Sequence, residues 1–131
     1  MKRAILILSL LAGPALALEP INREPHINES LVAGRIGDVI RKICPTISAR
    51  MVLTYSKLKE LERYARDKGY SNADFKAFLD DKVEKDRMKA QADAYLREAG
   101  AVPGDPESYC RVGRDEIAKG SLIGQLLRSS R

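Results

Sequence analysis

Few side chains suited to chemistry occur in this sequence. In 131 residues there is one histidine, His26, and there are two cysteines, Cys44 and Cys110. Proton relays and nucleophile–base pairs at neutral pH most often use histidine. His26 lies in an irregular, proline-bearing stretch, where a solvated side chain is the plainer reading. One imidazole and two cysteines leave a tetrahedral zinc site short of ligands. Asp80, Asp81 and Glu84 cluster their carboxylates, with Asp80 and Glu84 on one helical face as oxygen ligands of a divalent ion would be. Lys82, Lys85, Arg87 and Lys89 accompany them, and no calcium-loop pattern is present. A solvated face held by pairs such as Asp81 with Lys85 explains them more simply. Gly34 and Gly37 lack the preceding strand that a phosphate loop needs. In a helix each costs about 1 kcal/mol against alanine, which points to close packing, against the helix that carries Gly113. The five tyrosines, with Phe75 and Phe78, fall at helical spacings that suit core and rim. No catalytic group, metal or cofactor is expected. An enzyme would have to use carboxylates and arginines alone, such as Asp38, Arg41 and Arg50.

The two cysteines gain meaning from the N-terminus. Lys2 and Arg3 precede an apolar run over residues 4–12, then Gly13, Pro14 and the small-residue site Ala15-Leu16-Ala17. This is the pattern of a secretory signal peptide, with cleavage expected after Ala17 and the periplasm as destination. The run is too short to span a bilayer, which takes roughly 20 apolar residues. Outside the reducing cytosol two cysteines can pair, so a Cys44–Cys110 disulfide is predicted, with two free buried thiols as the competing reading. No Cys-x-x-Cys motif suggests redox work.

Charge is nearly balanced once the leader is set aside. Residues 18–110 carry 16 basic and 16 acidic side chains, and residues 111–131 carry five basic and two acidic. Such balance argues against nucleic-acid binding, which rests on neutralising several phosphates at once.

The elements that would position these residues read as helices. Residues 18–27 are expected to be an exposed, mobile lead-in. Asn28 is a plausible N-cap for a helix through Leu31, Val32, Ile36, Val39, Ile40 and Ile43. Pro45 forces a restart into a second amphipathic helix through Ile47, Met51, Thr54, Tyr55, Leu58, Leu61 and Ala65, closed by Gly69. Ser71 and Asp74 form a capping-box pattern for a third helix that runs to Gly100. Asp105-Pro106 opens a fourth, ending at Gly120. Residues 121–128 suit a short final helix, and no stretch alternates as a half-buried strand would. The expected fold is all-α: one domain over residues 28–131, a bundle of about four helices with one disulfide.

The basic C-terminal segment is the one candidate contact surface. Arg111, Arg114, Lys119 and Arg128 surround Leu122, Ile123, Leu126 and Leu127. Either the four apolar residues cover the core, or the segment docks a protein partner; contact with an anionic membrane surface is the lesser alternative.

Three stretches carry a resemblance. These are Gly34-Arg-Ile-Gly-Asp-Val-Ile-Arg-Lys-Ile-Cys-Pro-Thr-Ile-Ser-Ala-Arg50, Leu58-Lys-Glu-Leu-Glu-Arg-Tyr-Ala-Arg66 with Gly69 and Tyr70, and Tyr109-Cys-Arg-Val-Gly-Arg-Asp-Glu-Ile-Ala-Lys-Gly120. Through them the chain resembles a family of short exported bacterial proteins known only as a domain of unknown function. The resemblance implies a periplasmic, mostly helical protein with one disulfide, and no activity. The functional expectation is therefore a small exported module that binds a periplasmic protein without catalysis. A small acid-stress chaperone and a carboxylate–arginine enzyme are the rivals.

Overall fold

A glutamate, not an asparagine, starts the first helix. The computed structural model describes residues 18–130, so the leader and its cleavage site lie outside the described residues. Helix α1 spans Pro25–Ile43, and the Glu24 carboxylate accepts the Ile27 N–H at 2.6 Å as its cap, with Pro25 in the first turn. Asn28 sits inside the helix, donating to the carbonyls of Ile21 and Glu24. The Tyr70 hydroxyl donates to the Glu19 carbonyl at 2.6 Å, and a 3-10 turn covers Ile21–Arg23. The expected lead-in is thus fastened by side chains distant in sequence, and Ile27 is fully buried.

The remaining elements are β1 (Ile47–Ala49), α2 (Met51–Lys68), α3 (Asn72–Asp80), α4 (Lys82–Glu98), α5 (Pro106–Lys119), α6 (Leu122–Gln125) and β2 (Leu127–Ser129). The expected all-α bundle of about four helices is instead a mostly helical fold with six helices and a two-stranded sheet among the described residues. The restart after Pro45 is first a strand: β1 pairs antiparallel with β2, Ser48 opposite Arg128 and Ala49 opposite Leu127. The final helix stops at Gln125 because the chain turns into that strand. The long third helix is two, broken at Asp81, whose backbone is extended and whose carboxylate caps the Glu84 N–H. Aspartate competes for such N–H groups and so favours a cap over a helix interior.

Two clusters of apolar side chains organise these pieces. The larger joins α1, α4, α5, α6 and both strands through residues such as Ile36, Ile40, Ile47, Leu96, Val112, Ile123 and Leu127. Cys44 and Cys110 are bonded within it, their Cα atoms 5.1 Å apart. The smaller joins Ile27, Leu61, Ala65, Tyr70, Phe75 and Phe78. Gly69, at a φ of 110°, closes α2 and lets the Tyr70 N–H return to the Ala65 carbonyl. Close packing at glycine falls elsewhere than expected. A Cβ on Gly113 would lie 2.4 Å from Ile47 and 2.9 Å from Ile40, whereas one on Gly34 would meet nothing within 4 Å. Among the described residues no helix is long and apolar enough to cross a membrane.

Candidate binding surface

Ion pairing absorbs the residues from which a carboxylate–arginine site could be made. Asp38 is held by Arg41 at 2.6 Å and Lys42 at 2.7 Å, with Arg35 at 3.9 Å. Partial burial pushes its carboxyl up, but the Lys42 and Arg41 charges outweigh this and hold it below the usual carboxylate range. Asp38 and Arg41 line one small cavity beside Met51, while Arg50 has no ion-pair partner among the described residues. Asp80 pairs with Lys76, Glu84 with Arg87, and Asp81 serves as a cap rather than pairing with Lys85. No three metal-ligating side chains come together among the described residues.

The most enclosed charge is Glu116, 2% exposed. It accepts the hydroxyl of Tyr95 at 2.5 Å and that of Ser121, with the Lys119 ammonium at 3.6 Å. Burial pushes the carboxyl up; Ser121, Tyr95 and Lys119 overcome that and lower it. Tyr95 is pushed up to about 12 by donating to this carboxylate, with burial adding to the effect. The carboxylate ties α4 to the α5–α6 corner, and its hydrogen-bonding capacity is spent on that. His26 is exposed and meets Tyr64 edge-on at 4.5 Å, while the Tyr64 hydroxyl donates to Glu24.

The C-terminal segment is divided between inside and outside. Ile123, Leu126 and Leu127 are core residues and Leu122 is half-buried, so the apolar part of the expected contact surface faces inward. The β1–β2 pairing draws residues 127–129 against β1 and α5. Arg111, Arg128 and Lys119 stay exposed, and Arg114 pairs with Glu107.

An unfilled apolar surface lies instead beneath and along α2. A groove of about 390 Å³ runs between α1, α2 and α6, walled by Leu31, Leu58, Leu61, Leu122 and Leu126, with Gly34 on its floor. His26, Ser30, Thr54, Lys57 and Glu60 supply its polar edge. The space exists because the N-terminal half of α2 stands off the body: the smaller core grips its C-terminal half, through Leu61 and Ala65. The outer side of the same half exposes Met51 (64%), Val52 (87%) and Tyr55 (64%). The sequence predicts Met51, Tyr55 and Leu58 on the apolar face of an amphipathic helix and close packing at Gly34, whereas Met51 and Tyr55 are exposed and Gly34 lines the groove. One signal was available: residues 39–59 contain five basic side chains and no acidic one.

A family model, described as a family of unknown function (DUF5333), matches residues 19–128. The chain belongs to that family. In this DUF5333 protein the matched stretch includes all six helices, the disulfide and every wall of the groove. No curated protein and no solved structure matches the chain.

Proposed function

We propose that this is an exported, non-catalytic binding module, which receives an apolar segment of a periplasmic protein partner in the groove between α1, α2 and α6. The observation that carries the reading is Gly34. Glycine within a helix costs about 1 kcal/mol against alanine, and no packing contact at this position offsets it, because the space above Gly34 is the groove itself. Leucines on three sides supply the apolar area that a docked side chain would bury, at about 25 cal/mol per Å². The leader pattern and the buried disulfide support an oxidising compartment.

The test is capture from periplasmic extract by the wild-type protein, by Gly34→Leu and by Leu58→Asp, each shown to be folded by its thermal melt. A partner held by wild type and lost by both variants supports the reading. A partner retained equally by all three ends it.

The acid-stress chaperone reading has one observation in its favour, the single carboxylate at position 116 bracing three helices. Apolar-dye binding at about pH 3, where the lowered Glu116 carboxyl becomes protonated, and its loss on return to neutral pH, would move that reading ahead.

A further inference from the structure

We propose that the outer face of the N-terminal half of α2 docks on an anionic lipid surface. Three observations converge there. Met51, Val52 and Tyr55 are exposed over the first turns of the helix, with Val52 the most exposed large apolar residue among those described. Around them basic side chains are in excess: Arg41, Lys42, Arg50 and Lys59 fall within residues 39–59, where Asp38 pairs with the first two and Glu62 with Lys59. β1–β2 pairing sets Arg128 opposite Ser48, beside the start of α2. Asp38, the nearest carboxylate before that stretch, already faces three cations. Arg50 and Arg128 have no ion-pair partner among the described residues. Third, α2 begins without a side-chain cap, so the positive end of an 18-residue helix points out among the same cations.

An apolar tip beside two arginines without ion-pair partners, and with basic groups in excess around it, matches a bilayer interface, where side chains enter the acyl boundary while basic groups meet lipid phosphates. A second copy is disfavoured, because apposing two such faces would bring like charges together. An acidic protein would need a concavity complementary to the exposed Val52 and Met51, whereas a bilayer deforms around them. The docking face is separate from the groove, whose walls lie on the inner side of α2.

The experiment is co-sedimentation of the exported, purified protein with vesicles of phosphatidylcholine alone and of equal parts phosphatidylcholine and phosphatidylglycerol. The protein is expected to bind only the anionic vesicles and to be released by high salt. Arg50→Gln and Lys59→Gln are each expected to weaken binding about fivefold, and Val52→Asp on the order of tenfold. Val83→Asp, at another exposed valine, on α4 and away from this face, is expected to change nothing. Equal binding to neutral vesicles, no binding, or insensitivity to the α2 variants would overturn the proposal. So would sedimentation velocity showing a dimer that Val52→Asp dissolves, or an acidic periplasmic protein captured through this face without vesicle binding. Gly34→Leu, which fills the groove, should bind vesicles as wild type does, so failure of the groove reading and failure of this one are read separately.

Discussion

A carboxylate buried at position 116 holds three helices with two hydroxyls and an ammonium, and its loss would leave the Tyr95 and Ser121 hydroxyls without their acceptor. Hydrogen bonds to a charged group contribute about 1.5–3 kcal/mol, so Glu116→Ala is expected to lower stability by about 3 kcal/mol in a urea titration. The pH dependence has a definite sign. Glu116 and Asp38 are held below their ordinary 4.5 and 3.8, so their stabilisation is complete above about pH 5 and is lost as pH falls through the lowered values. Tyr95 works oppositely: raised from 10.0 to about 12, it contributes below pH 10 and loses its contribution as pH rises through 12. Melting temperature against pH should therefore fall at both ends, and Glu116→Gln should flatten both limbs. Glycines give a second residue-level contrast. Gly34→Ala should stabilise by about 1 kcal/mol, since the new methyl meets open space, whereas Gly113→Ala, forced against Ile47 and Ile40, should cost about 1–3 kcal/mol.

Between α3 and α4 a single aspartate decides whether there is one helix or two. Asp81→Ala removes the cap on the Glu84 N–H and should destabilise by about 1 kcal/mol, measured by denaturation. Its position shows how far the elements were legible beforehand. Local signals were readable: the Ser71–Asp74 capping box, the Gly69 stop and the Pro106 start all stand where their side-chain chemistry puts them. Asp81 was missed because its charged neighbours read equally well as a solvated helix face. The strands were missed because three residues each are too short to show alternation, and what makes them strands is their pairing across the chain. Glu24 is not legible as a cap because asparagine is the stronger one, and the Tyr64 hydroxyl that helps to fix its carboxylate comes from 40 residues away. The candidate surface was hidden for the same reason. Periodicity identifies the apolar side of α2 without telling whether anything covers it, and the standing-off of its N-terminal half depends on where the smaller core grips the helix.

At the scale of the whole molecule, one covalent bond spans the larger core, joining the end of α1 to the second turn of α5 across a separation of 66 residues. Cys44→Ser with Cys110→Ser is expected to cost about 2–5 kcal/mol, as loss of a native disulfide does in small exported domains. Both sulfurs are buried, so reductant without denaturant should leave the bond intact over hours, which alkylation and mass spectrometry would reveal. The antiparallel pair of short strands carries a further consequence. Ile47 finds its partner in Ser129, so α1 and β1, made early, lack their neighbours until the last described element has been synthesised. A nascent chain lacking residues 127–129 therefore leaves β1 unpaired, and the larger core closes only once that strand has been made.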